Sequence, residues 1–201
     1  MAPSIQGPEG ENMRLLAAAL VLALTGTAAA GGFSLGFKEV DLPTYVFTDG
    51  SPAEATAPML RLGSALSPEF RIEALLGYVK SSFDIENGGN GSASTFAIGG
   101  SGFYVIAAPS NTVFSIGGSL IYAKSSIEDG NSTSDLTILP VMRADFAVPN
   151  MDRVAFFSEF GLRYDKATTK VETGDTTTDY SYSHFGTYNS PHILGGVYYS
   201  F

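Results

Sequence analysis

The residue pattern predicts an all-β fold, a transmembrane eight-stranded antiparallel up-and-down β-barrel, on three observations. First, four stretches place an aromatic residue and a second one eight positions later: Phe70 and Tyr78, Phe96 and Tyr104, Phe114 and Tyr122, Phe156 and Tyr164. An even spacing keeps both on one face of a strand, and eight residues at about 3.3 Å, tilted about 40°, rise roughly 20 Å, close to the apolar band between two aromatic girdles. Second, the residues of like parity between them are apolar or small, as in Ile72, Ala74 and Leu76 or Ile116, Gly118 and Leu120. The opposite parity carries Arg71, Glu73, Glu159, Arg163 and Asp165. Third, turn-rich breaks divide the chain beyond residue 30 into eight alternating segments. A soluble β-sandwich also alternates, but its apolar face meets a core and requires no aromatic rows at both ends of a band.

The first element is not a strand. Met13 and Arg14 precede a continuous apolar run, Leu15 to Leu24, which ends in Ala28, Ala29 and Ala30. A positive start, an apolar stretch and small residues before a cut describe a secretory signal peptide over 13–30, with the mature chain beginning at Gly31. Residues 1–12 hold Glu9 and Glu11 and no basic residue, the wrong charge for such a start. They read as an extension ahead of a true initiator at Met13, and residues 31–201 as one barrel domain.

Strands are then expected at 31–43, 57–66, 69–83, 94–107, 112–125, 135–147, 153–167 and 185–201. In the first, Phe33, Leu35 and Phe37 share a face while Val40 and Leu42 fall on the other, which predicts a phase-switching bulge. In the sixth, Pro140 lacks an N–H in a ladder with no free edge, which predicts a bulge or a lost bond. The connections alternate in length. Long ones at 44–56, 84–93, 126–134 and 168–184 form one end, and short ones at Ser67-Pro68, Ala108 to Asn111 and 148–152 form the other. Solvent-exposed tips suit the long ones, as in Glu86-Asn87-Gly88-Gly89-Asn90 and Glu172-Thr173-Gly174-Asp175.

Composition excludes several functions. The absence of cysteine removes thiol chemistry and Cys-ligated metals. The 11 basic and 20 acidic residues of the whole chain give a net charge of −9, and loss of Glu9, Glu11 and Arg14 leaves −8, with no basic patch for a nucleic-acid partner. No cofactor or metal motif stands out. Asp129-Gly130-Asn131 lacks the oxygen spacing and closing Glu of a calcium loop.

Parity points Arg61, Arg71, Arg143 and Arg163 inward together with Glu73, Asp145, Glu159 and Asp165, four of each sign. An eight-stranded barrel is only wide enough for side chains to fill, and buried charges are tolerable when paired. The expected lumen is plugged by ion pairs. The alternative is a narrow porin-like channel for small solutes, with inward Gly63, Gly77, Gly99, Gly117, Gly161 and Gly196 leaving room.

The end of the chain, Gly196, Tyr199 and Phe201, resembles the C-terminal assembly signal of bacterial outer-membrane β-barrels, with Leu194 where that pattern prefers a polar residue. With the signal peptide and the loop asymmetry, nearly the whole mature chain resembles the small barrels typified by the OmpA membrane domain, OmpX and the Opa adhesins. The resemblance implies a Gram-negative outer membrane, handling by the barrel assembly machinery, contact with outer-membrane lipid and lipopolysaccharide, and a structural or adhesin-like role with a surface ligand at the loops. Tyr180, Tyr182 and Tyr188 near the last loop are candidate contacts for it. Related barrels include lipid A deacylases and palmitoyl transferases. Here only His184 and His192 could supply an imidazole, and His184-Phe185-Gly186 departs from the deacylase His-x-Ser arrangement, so the expectation is a non-enzyme.

Overall fold

The computed structural model describes residues 32–43, 54–85, 89–127, 131–173, 176–189 and 195–201. The expected extension, the signal peptide, Ser190 and His192 lie outside them. Among the described residues the strands are β1 (Phe33–Pro43), β2 (Glu54–Ala65), β3 (Phe70–Ile85), β4 (Gly89–Ala107), β5 (Thr112–Ile127), β6 (Ser132–Val148), β7 (Met151–Thr173), β8 (Thr176–Asn189) and β9 (Gly196–Ser200). Each pairs antiparallel with its neighbour from β1 to β7, β7 pairs with β9, and β9 pairs with β1. That ring has eight staves and closes the barrel, so its backbone groups are satisfied without an open edge.

The last stave is broken, where the sequence predicts one strand over 185–201. β8 continues the β7 hairpin as far as Phe160↔Asn189, and β9 resumes at Phe157↔Gly196. Between these two pairs the register along β7 shifts by four. Gly195 N–H bonds to Phe157 O at 2.7 Å and Glu39 N–H bonds to Gly195 O at 2.9 Å, which stitches the break to both neighbours.

Three of the expected long connections are largely strand. β3 runs to Ile85 and β4 starts at Gly89, β5 runs to Ile127 and β6 starts at Ser132, and β7 runs to Thr173 and β8 starts at Thr176. The reason lies in Thr and Ser side chains, which pack and bond well across strands. Thr95 Oγ1 is 2.7 Å from Ser125 Oγ, and Thr133 Oγ1 is 3.0 Å from Thr169 Oγ1. β7 is 23 residues long, about twice what a tilted strand needs to cross a bilayer. At the other end the turns are tight, and Asn150, with φ of 64°, takes the left-handed conformation that Asn tolerates.

β1 holds no bulge. It runs in unbroken register with β2 from Phe33↔Ser64 to Pro43↔Glu54, and Val40 points inward because the lumen at its level is apolar. At Pro140 the β6–β7 ladder skips Leu139 and Pro140 but resumes at Val141↔Gly161 in the same register as Ile138↔Tyr164. The missing N–H interrupts the ladder without shifting it.

Candidate functional site

The barrel is inverted relative to a water-soluble domain. Leu120 and Phe160 are each 52 % exposed on the outer surface, alongside Phe37, Ile116, Ile138, Met142 and Leu162, while Lys38 and Glu159 inside are 0 % exposed. The register sorts the outer aromatics into two levels. Phe70 stands opposite Tyr104 at the end with the short turns, here the terminal end, and Tyr78 stands opposite Phe96 toward the hairpin end. Phe146 faces Phe156 at the first level and Tyr164 faces Phe185 at the second. Phe114 belongs with the terminal row and Tyr122 with the hairpin row by position along β5. Tyr199 and Phe201 join the terminal row, packing edge-to-face at 5.0 Å, with Phe33 5.7 Å from Phe201. Gly196 faces inward, where an added Cβ would strike the Phe157 ring and Phe37 O.

Inside, three layers follow one another. Toward the terminal end lies a linked charge network. Arg61 Nε donates to Glu73 Oε1 at 2.7 Å, and Arg143 Nη1 donates to the same oxygen at 2.6 Å. Arg143 also holds Asp145 Oδ1, from Nη2 at 2.7 Å and Nε at 3.0 Å, and lies 3.7 Å from Glu159 Oε1. Lys38 Nζ is 2.7 Å from Glu159 Oε2 and donates to Ser119 Oγ at 3.0 Å. Arg71 reaches Asp145 Oδ2 at 3.6 Å. Aromatic faces sandwich the cations: the Arg143 guanidinium is 3.8 Å from the Phe157 ring centre and that of Arg61 is 4.2 Å from Tyr198, cation–π contacts that offset part of the lost hydration.

The middle layer is apolar. On β6, Val141 and Leu139 separate Arg143 from Thr137 and Asp135; on β2, Met59 follows Arg61; on β3, Leu75 follows Glu73; on β5, Ile121 follows Ser119. These residues form one buried cluster with Val40, Ala57, Ala97, Ala123 and Tyr188. The inward glycines do not open a path through it. Ser34 and Arg61 occupy the space beside Gly63, and Met59 the space beside Gly77.

The hairpin-end layer is a second polar cluster. Arg163 Nε is 2.6 Å from Asp165 Oδ2 and its Nη1 is 4.0 Å from Asp41 Oδ2. Thr137 Oγ1 bridges Asp135 Oδ2 at 2.8 Å and Asp165 Oδ1 at 2.7 Å. His184 Nδ1 lies 3.5 Å from Asp165 Oδ2.

Of the eight expected lumen charges, Arg61, Arg71, Glu73, Arg143, Asp145 and Glu159 form one network, whereas Arg163 and Asp165 belong to the other. Sequence reasoning missed Lys38, whose even position opposite Leu35 and Phe37 was the available signal, and Asp135, which shares parity with Asp145. Tyr188 is not a surface contact. At 5 % exposure it packs in the apolar cluster, while Tyr180, 61 % exposed, and Tyr182 stand on the lumen-facing side of the β7–β8 hairpin. Ser183 pairs with Lys166 on the face opposite His184, so its hydroxyl is not presented to the imidazole. Among the described residues no cluster of His, Asp and Glu could hold a metal ion.

No protein-family model matches the chain, and no curated protein matches it. Among solved structures it is similar to Ail, the attachment invasion locus protein of Yersinia pestis, solved in complex with the heparin analogue sucrose octasulfate. The identity is 14 %, the TM-score 0.37, and the match covers 86 % of this chain and 99 % of that one.

Proposed function

We propose that this chain is an integral β-barrel of a bacterial outer membrane with a structural or surface-interaction role, closed to solutes and without enzymatic activity. The observation that carries the reading is the inversion itself. Leu120, Phe160 and their neighbours face outward between two aromatic levels while Lys38, Arg143 and Glu159 are buried inside. In water that arrangement exposes the wrong surface, and in lipid it is the stable one. Lipid would cover the band, lipopolysaccharide would border the hairpin-end aromatics, and the assembly machinery would read Gly196, Tyr199 and Phe201.

Closure is supported by the apolar layer. An ion crossing from the Arg143 network to the Asp165 cluster would leave its partners at Leu75, Ile121 and Leu139, where an unpaired charge is costly. The β7–β8 hairpin, with Tyr180 and Tyr182 exposed, offers a ligand rigid aromatic contact.

The test is expression of the full chain in a Gram-negative host, followed by membrane fractionation, a heat-dependent gel shift to show folding, and planar-bilayer recording. The reading expects folded protein in the outer-membrane fraction and no discrete current steps. Recovery in the soluble fraction would overturn the membrane assignment, and steady unitary currents would replace the closed barrel with a narrow channel.

A further inference from the structure

Just beyond the hairpin-end aromatic level the outer face repeats one arrangement on three strands. β3, β5 and β7 run in the same direction, and each carries a tyrosine of that level followed two residues later by a lysine: Tyr78 and Lys80, Tyr122 and Lys124, Tyr164 and Lys166. The even spacing keeps each lysine on the same outward face as its tyrosine. A serine stands opposite every one of them in the ladder, Ser94 for Lys80, Ser134 for Lys124 and Ser183 for Lys166. Two residues at about 3.3 Å, tilted about 40°, set each lysine roughly 5 Å beyond its tyrosine. That is the depth of the polar headgroups, about 5–8 Å on each side of a hydrocarbon core. The placement is selective. Lys38 is buried in the lumen, and the other lysines, Lys80, Lys124, Lys166 and Lys170, all lie toward the hairpin end of the outer face. Lys170 departs from the pattern, since Asp179 stands opposite it.

From this geometry we propose that the three lysine–serine pairs bind phosphate groups of the lipopolysaccharide around the hairpin end, a site that rests on the outer-membrane reading above. The ammonium meets a phosphate oxygen as a point charge, the serine hydroxyl across the ladder offers the same group a second donor, and the tyrosine ring below holds the apolar boundary. Serine is also too short to cover the ammonium. Neighbouring lysines are roughly 12 Å apart, two strand spacings across and two residues along, so each takes its own phosphate. The chain as a whole carries a net charge of −9 and is repelled by an anionic surface, so attachment to a phosphorylated lipid depends on a local row such as this one.

The experiment is isothermal titration calorimetry of the full chain, folded in a non-ionic detergent, with lipid A carrying both phosphates in one arm and the same lipid dephosphorylated in the other. Saturable binding is expected in the first arm, at least about tenfold tighter than in the second. Lys80→Gln, Lys124→Gln and Lys166→Gln should each weaken it about fivefold, and the triple variant by at least about tenfold. The triple change to arginine, which keeps the charge, should stay within about threefold. Lys170→Gln should stay within about twofold, because four further residues carry it about 10 Å farther from the headgroups. Folding of each protein is checked by the heat-dependent gel shift, and the single variants serve should the triple one fail to fold. A chain without that shift overturns the membrane reading and the site with it. A folded chain that binds both lipids alike, or neither, or whose folded glutamine variants keep full affinity, overturns the site alone.

Discussion

Replacing Arg143 with methionine removes one guanidinium from a place where three carboxylates converge. The side chain is 2 % exposed, bonds Glu73 at 2.6 Å and Asp145 at 2.7 and 3.0 Å, and approaches Glu159 at 3.7 Å. Glu73 keeps Arg61 and Glu159 keeps Lys38, but Asp145 is left with Arg71 at 3.6 Å. Breaking a buried pair from one side costs about 3–5 kcal/mol, because the remaining charge is stranded without water. With a urea slope of about 2 kcal/mol/M, the unfolding midpoint should fall by roughly 2 M. Unfolding is followed by far-UV circular dichroism of protein folded into lipid vesicles, since the chain has no tryptophan. The double variant Arg143→Met with Asp145→Asn should regain about 1–3 kcal/mol, the coupling expected of residues in direct contact. A single variant that loses less than about 1 kcal/mol, or a double variant that recovers none of the loss, would refute the view that Arg143 neutralises Asp145.

Three further substitutions separate the surfaces of the barrel. Leu120→Arg, on the outer face between the aromatic levels, should cost about 2–4 kcal/mol in vesicles, and a cost near zero would mean that this face does not meet hydrocarbon. Leu139→Ala, in the apolar lumen layer, should cost about 2–5 kcal/mol by the same urea titration, and a much smaller loss would mean the layer is not packed. Tyr188→Ala should destabilise by about 3–5 kcal/mol, as for other large buried side chains, whereas Tyr180→Ala should leave the midpoint within about 0.5 kcal/mol. Equal effects of the two tyrosine changes would contradict the burial of Tyr188 in the apolar layer and the exposure of Tyr180 beyond it.

The barrel was legible because period-two alternation and aromatic spacing are local properties of each strand. Phe70 and Tyr78 could be placed eight residues apart on one face without knowing their partners. The partners themselves were not legible. That Tyr78 stands opposite Phe96, or that Arg143 reaches Glu73 across 70 residues of sequence, depends on register and closure. Val40 shows a different limit. Read alone, an apolar residue on the polar face implied a bulge, but Met59 of β2 and Ile121 of β5 also point inward nearby, and only the assembled lumen shows a shared apolar layer. The hairpin extensions were read as loops because Gly, Asn and acidic residues dominate their tips, although the Thr-rich flanks carried a strand signal of their own.

The order of the layers explains how so much charge can be buried in one small barrel. Had Lys38, Glu73, Asp135, Arg143, Glu159 and Asp165 formed a single continuous column, water could follow the charges from end to end and screen each pair. Met59, Leu75, Ile121 and Leu139, all buried, interrupt that column. Pairs on either side are then screened less and interact more strongly than they would in water. The same interruption keeps the two clusters apart, Arg143 with Glu73, Asp145 and Glu159 on the terminal side and Arg163 with Asp165 on the hairpin side.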